Sequence, residues 1–354
     1  MHPTTLPVDG RAPAAATPRP GRRHPGNRRR RLLGLVVLAA ALAAFALVSL
    51  AVGSNPLPLD LVWSALVSPA DTEADIIVRQ LRLPRTVVAL VAGGALGLAG
   101  ALMQGHTRNA LADPGLLGVS AGAALAVVVA AYVLGVDEPS AYVWFAFAGA
   151  LVATAIVLVF GSARDNPATL ALAGAAVTAL LGAFTSAIVL LDVETLEAYR
   201  FWAVGSVAGR DLQALTPMVP FLLVGAVLAV ANGPALNTLA LGEDVARALG
   251  QHVGRARLVG IAAVTLLTGS TVALCGPIGF VGLIVPHAAR ALTGPDHRWL
   301  LPYSAVAGAA VLLAADVVGR VVVRPAELQA GIVLALVGAP FFVALIRRRR
   351  TAAL

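Results

Sequence analysis

The sequence contains no lysine: all 26 of its basic side chains are arginine. A P-loop uses a lysine to reach the β- and γ-phosphates of ATP, so nucleotide hydrolysis by that route is excluded. Cysteine is nearly as scarce. The single Cys275 closes no intrachain disulfide, and six scattered histidines with no paired spacing supply no metal-ligand set. We expect Cys275 to pack as a small helix residue, and no metal or cofactor to be held. Charge is sparse too. Charged residues make up 12% of the chain, about half the ~25% usual in soluble domains, against 58% hydrophobic. A water-soluble globule is excluded, and lipid is the fitting solvent. Clustered aspartates for Mg²⁺ and a serine beside a base are also missing, so no catalytic residue is expected.

The charge that is present sits at the ends. Residues 1–31 carry eight Arg against one acid, residues 347–350 add four Arg, and the remaining 14 Arg and 17 acids leave the middle at net −3. Terminal basic clusters around an apolar centre suit an anionic membrane surface, and nucleic acid is not expected as a partner. Residues 1–31, rich in Pro, Ala, Gly and Arg, have little to bury and are expected to form a disordered basic tail.

From Leu32 to Gly53 the chain runs 22 residues without a charge. At about 1.5 Å per residue that covers a hydrocarbon core of about 30 Å. Ser49-Leu50-Ala51 resembles a signal-peptide cleavage site, but the apolar run exceeds the usual 7–15 residues of a signal, so the segment is expected to be a membrane helix. Further runs bounded by Pro, Gly or charge lie at about 84–104, 114–134, 142–161, 169–191, 214–231, 256–275, 277–293, 300–318 and 328–346. Ten spans form one domain over 32–346, with 347–354 as a basic C-terminal tail. An even number of spans returns the C-terminus to the side of the N-terminus, and both ends carry Arg, so both are expected in the cytoplasm. Arg79, Arg82, Arg85, Arg200, Arg210, Arg320 and Arg324 then fall outside, against the usual bias, and need a reason.

Pro217, Pro220, Pro277 and Pro286 interrupt spans, and the backbone groups they free must be satisfied by neighbouring helices or along a pathway. Small residues crowd Ala92–Ala101 and Ala171–Ala183, which permits close helix approach. Pro-Gly turns open two runs five spans apart, at 113–118 and 276–282, and an odd separation makes the halves inverted in the membrane. Intramembrane acids, which an ion-coupled carrier uses, are nearly missing. Asp316 alone lies near the end of a span, where a structural role serves as well. Over 233–255 a polar loop contains Asn237 or Thr238 as a helix cap, Gly242 as a break, acids at the start of a second helix and Gly250 at its end. Two short angled helices are expected, forming either a docking knob with exposed Leu241, Val245 and Leu249 or an ordinary amphipathic connector.

Several runs resemble one family. They are Arg82-Leu83-Pro84-Arg85-Thr86, Gly100-Ala101-Leu102-Met103-Gln104-Gly105, Asn109 through Gly122, Leu241 through Gly250, Gly276 through Arg290, Pro325 through Ile332, and Gly338-Ala339-Pro340-Phe341-Phe342. In this order they are similar to FecCD-type ABC importer permeases for iron-siderophores, haem and vitamin B12, from Arg82 almost to the C-terminus. Ala110 departs from the family, which usually has Pro there. The resemblance implies an all-α polytopic membrane protein of about ten transmembrane helices, with the type II importer permease fold and inverted-repeat halves. It implies a multi-pass cell-membrane protein that is not itself an enzyme, a second permease subunit (the same chain or a paralogue), separate cytoplasmic ABC ATPase subunits, and an extracytoplasmic substrate-binding lipoprotein. Docking of the binding protein is implied for Arg82, Arg85 and Arg320, where contact with phospholipid is the plain alternative. Coupling to the ATPase is implied for Leu241, Gly242, Glu243, Asp244, Val245, Ala246, Arg247, Leu249 and Gly250, and a cytoplasmic gate for Asn109 and Leu111 with the loop Asn166–Thr169. The expected cargo is a ferric siderophore. An ion-coupled secondary transporter is the alternative, and an intramembrane enzyme a more distant one.

Overall fold

The computed structural model describes residues 25–70, 72–136, 139–161 and 167–351. Every regular element among them is helical, as lipid requires of a chain whose backbone groups find no water there. Helix α1 (Pro25–Ala51) is followed by the short α2 (Leu59–Val67). Next, α3 (Glu73–Ile76) passes through a π-helical stretch, Ile77–Arg82, into α4 (Leu83–Thr107), making one rod of 35 residues. A 3-10 turn, Pro114–Leu117, opens α5 (Val119–Leu134), and α6 (Pro139–Gly161) and α7 (Pro167–Val189) follow. Two short helices, α8 (Val193–Ala203) and α9 (Leu212–Leu215), precede α10 (Val219–Leu239) and α11 (Glu243–Ala248). The chain ends with α12 (Val253–Cys275), α13 (Val281–Thr293), α14 (His297–Val322) and α15 (Ala330–Thr351).

The ten expected spans fall on α1, α4, α5, α6, α7, α10, α12, α13, α14 and α15. Among the described residues seven helices are long and apolar enough to cross a membrane unaided. The others are shorter. The span expected from residue 277 becomes helical only at Val281, because Gly276 and Phe280 take positive φ of 72° and 67°. That leaves α13 with 13 residues, about 20 Å of helix. Helix α1 starts at Pro25, inside the stretch expected as tail. The rest of that tail, together with Arg164 and Asn166, lies outside the described residues.

Helices α4 and α12 form the centre: 78% of the residues in the most apolar window of each are buried, against 6% in α1 at the rim. α14 lies along α4 through small residues. A Cβ at Gly97 would strike the carbonyl of Ser304, and one at Gly93 that of Gly308. Glycine admits backbone-to-backbone contact where apolar burial gives no drive for association. The two Pro-Gly segments, far apart in sequence, meet here. Gly282 packs on Gly100, and a Cβ on it would lie 3.1 Å from Pro114 Cδ.

Pro286 has no N–H to offer the carbonyl of Gly282, four residues earlier. Gln104, buried on α4, fills the gap by donating its Nε2 to the carbonyls of Gly282 at 3.3 Å and Leu283 at 3.1 Å. A short half-span is thereby tied to the central rod.

Contacts also establish two faces. At one, Tyr303 at the start of α14 donates to the carbonyl of Arg31 at 2.7 Å, and Asn237 at the end of α10 bonds to Asp296 and His297. This face holds α11. At the other, the end of α1 meets Arg82 and Arg320.

Replacing Gly100 with alanine should lower the thermal midpoint of the detergent-solubilised protein, with overpacking costing about 1–3 kcal/mol. Gly94→Ala, whose nearest new neighbour would be 3.5 Å away, should leave the midpoint within a degree or two. Equal midpoints for the two variants would contradict close packing of α4 on α13.

Candidate functional site

Three places gather the residues singled out in the sequence. The first is the loop that carries α11. Asn237 does not cap a separate short helix as expected. α10 continues through Pro234 to Leu239, and the Asn237 side chain joins α10 to α14 by donating to Asp296 at 2.7 Å. Only one short helix results. Gly242 makes the turn before it with φ 107°, and Gly250 follows it with φ 81°, conformations that favour glycine. Ala246 points inward and is buried, whereas Leu241, Val245 and Leu249 are 63%, 46% and 65% exposed. Glu243 binds Arg257 of α12 at 2.8 Å and Arg247 at 3.4 Å, and Arg247 lies 3.6 Å from Asp244. The apolar knob is thus held in a fixed attitude to the membrane helix behind it.

The second place is the loop after α4 on the same face. Arg108 ends the helix in the left-handed region at φ 49°, and Asn109 accepts the backbone N–H of Leu111 at 3.0 Å. Asn109 is exposed and Leu111 half-buried. Asp113 accepts from Gly115 N at 2.8 Å and starts the 3-10 turn into α5. A side-chain turn therefore shapes this loop where Ala110 supplies no proline.

The third place is on the opposite face. Arg82 donates to the carbonyls of Leu50 at 2.7 Å and Ala51 at 3.0 Å, and also to that of Asn55. Arg320 donates to Ser49 at 3.0 Å and Val52 at 2.9 Å. These carbonyls close α1, where a helix has no N–H groups left and its dipole is negative. Both guanidinium groups are buried, and in this chain both cap a helix. Asp316, 1% exposed, lies 3.2 Å from Arg320 and 2.7 Å from Arg85, and Arg85 also pairs with Glu327 at 2.6 Å. Three arginines and two acids thus tie α1, α4, α14 and the start of α15. The sequence carried one sign of this: Asp316 and Arg320 are four apart on a helix, the spacing of an ion pair. The link from Arg85 to Asp316 spans 231 residues and left no local signal.

Beside this cluster, α8 ends in a loop that meets two other chain breaks. Ser206 N donates to Cys275 O at 2.7 Å, and Gly331 N to Gly205 O at 3.0 Å. Asp192 caps α8 by accepting from Thr195 N and Oγ1, and the Thr195 hydroxyl bond in particular holds its carboxyl below the usual range. A cavity of about 460 Å³ opens between α8 and the start of α15, walled by Arg85, Tyr142, Trp202, Arg210, Glu327 and Gln329. A neighbouring one of about 530 Å³ shares Arg85, Arg210 and Glu327 and reaches Arg82 and Arg320. Among the described residues no group of three His, Cys, Asp or Glu side chains is placed to hold a metal ion.

Asp316→Asn should destabilise the solubilised protein by about 3–5 kcal/mol, because buried Arg320 and half-buried Arg85 lose their shared anion. Glu327→Gln, where the acid is 33% exposed, should cost under about 1 kcal/mol. If thermal denaturation ranked them in the opposite order, the cluster would not be what holds this end together.

Membrane transport permeases are among the known proteins this chain resembles. A profile of the FecCD transport family matches residues 41–348. The ferric enterobactin transport system permease protein FepD of Escherichia coli is 47% identical over 322 residues, covering 90% of this chain and 94% of that one. The cobalamin import system permease protein BtuC of Halobacterium salinarum is 41% identical, covering 79% and 76%. A solved inward-facing metal-chelate type ABC transporter superposes with a TM-score of 0.77 at 30% identity, covering 90% of this chain and 99% of that one. The profile takes in nearly all the described helices, and both faces just described fall within it, so this multi-pass membrane protein belongs to the FecCD transport family.

Proposed function

We propose that the chain is the translocation subunit of an ATP-binding cassette importer for ferric siderophores, with both termini in the cytoplasm. One observation carries this most: α11 presents Leu241, Val245 and Leu249 outward on a mount fixed by the Glu243–Arg257 pair. A chain without a lysine for a P-loop needs a separate ATPase, and an apolar knob rigidly joined to α10 and α12 is what such a partner would grip. Closure of the ATPase would push α11 and, through Asn237 and Asp296, the foot of α14. A second permease subunit, this chain or a paralogue, would complete the pathway, and Asn109 and Leu111 stand where its inner end would close. The cargo follows the ferric enterobactin permease, a relative of nearly equal length.

An extracytoplasmic binding protein would dock on the opposite face. Arg85, half-buried at the cavity wall and already bridging Asp316 and Glu327, is the member of the expected trio placed to exchange partners with an acidic lobe. Arg82 and Arg320 would contribute from below by holding the end of α1. An ion-coupled carrier would need neither feature.

Deleting Glu243–Leu249 should release the ATPase during co-purification while the permease stays in the membrane; retention of the ATPase would contradict the knob. Arg85→Gln should weaken binding-protein affinity about tenfold, the loss of roughly one charge-assisted contact, and leave ATPase co-purification unchanged. An unaltered affinity would remove Arg85 from the docking surface.

A further inference from the structure

A groove opens sideways from the bundle at the depth where its helices are most apolar. Leu42 of α1 borders one side, Leu223 and Ala226 of α10 the other, and Gly94 of α4 with Ala305 and Ala309 of α14 form the floor. Its volume is about 420 Å³, and every residue that lines it is aliphatic or glycine. Leu223 at the rim is 61% exposed. No lining side chain offers a hydrogen bond, so whatever occupies the groove has to be apolar there.

The floor continues toward the face that holds α11. Ala309, Ala305, Pro302 and Arg298 follow one another at spacings of four, three and four residues and so share one side of α14. Pro302 is half-buried and Arg298 exposed. Arg31 of α1 stands beside this foot: its carbonyl accepts from the Tyr303 hydroxyl at 2.7 Å, and its guanidinium lies 4.0 Å from Asp296. Arg28, Arg29 and Arg30, on the same turn of α1, are exposed. Asp296, the acid at this foot, already accepts from Asn237 and from Arg298 N. Positive charge therefore outweighs negative below the groove. At about 1.5 Å per residue, Ala305 and Ala309 lie between about 10 and 16 Å along α14 from Arg298, a depth close to the half-thickness of a hydrocarbon core of about 30 Å.

We propose that the groove and the arginines at its foot bind one anionic phospholipid, its phosphate between Arg31 and Arg298 and one acyl chain in the groove. The phosphate oxygens would accept charge-assisted hydrogen bonds from the two guanidinium groups. A chain in the groove replaces a chain among other lipids, so the groove contributes shape and the arginines contribute preference for an anionic headgroup. The lipid would tie α1, at the rim of the bundle, to α10. This site does not depend on what the chain transports.

The probes are dioleoyl phosphatidylglycerol, which is anionic, and dioleoyl phosphatidylcholine, which has the same chains without net charge. Each is titrated onto the delipidated full chain in detergent, and bound lipid is counted by native mass spectrometry. The expected result is one phosphatidylglycerol held at least fivefold more tightly than phosphatidylcholine. Arg31→Gln and Arg298→Gln should each weaken phosphatidylglycerol about fivefold and leave phosphatidylcholine unchanged, while Arg298→Lys retains the preference. Ala226→Phe, which puts a ring into the groove, should weaken both lipids at least fivefold, and Val152→Phe, at an exposed position of α6, should weaken neither. Equal affinity of the unaltered protein for the two lipids would overturn the proposal, as would phosphatidylglycerol affinity unchanged in Ala226→Phe or in Arg298→Gln. A dimer of the unaltered chain that Ala226→Phe converts to monomer with no change in bound lipid would also overturn it, by giving the groove to a second copy. Should Ala226→Phe fail to fold, the comparison of Arg298→Gln with Arg298→Lys, at an exposed side chain, decides the outcome.

Discussion

In lipid no helix end and no proline can leave a carbonyl to water, and this one requirement organises the molecule. At the end of α1 the carbonyls from Ser49 to Val52 accept from Arg82 and Arg320, that of Ala51 also from Leu57 N. At Pro286 the open carbonyl of Gly282 is taken by Gln104. Where α8, α12 and α15 break, Gly205, Ser206, Cys275 and Gly331 satisfy one another through backbone bonds. Each repair joins segments far apart in the chain, so satisfying the backbone also builds the tertiary fold.

The repairs bear directly on transport. Helices that are continuous, such as α4, serve as fixed posts, while α8 and α13 end or begin within the bundle and are held by a few bonds each. α8 and the segment before α15 wall the cavity at one face, and α11 sits at the other, fastened to α10 and α12. Asn237 and Asp296 join the end of α10 beside α11 to the foot of α14, and α14 carries Asp316 and Arg320 at its far end. One helix thus spans from the face that holds α11 to the arginine cluster.

Much of this was legible in the residues. The ten apolar runs landed on ten helices, and the Gly242 and Gly250 punctuation located α11. Other points were not legible. Asn237 looked like a helix cap because it sits in a polar stretch before Gly242, yet α10 runs on through Pro234 to Leu239. The outward arginines looked like free charges because their acceptors, the end of α1 and Asp316, are remote in sequence.

The sequence by itself determined the solvent, the approximate limits of the apolar spans and the family, because hydropathy, charge placement and local motifs are properties of contiguous residues. Tertiary structure alone decided which arginines are neutralised and where short helices begin. Those depend on charges and carbonyls brought together from opposite ends of the chain, and Coulomb energy and hydrogen bonding act through distance in space.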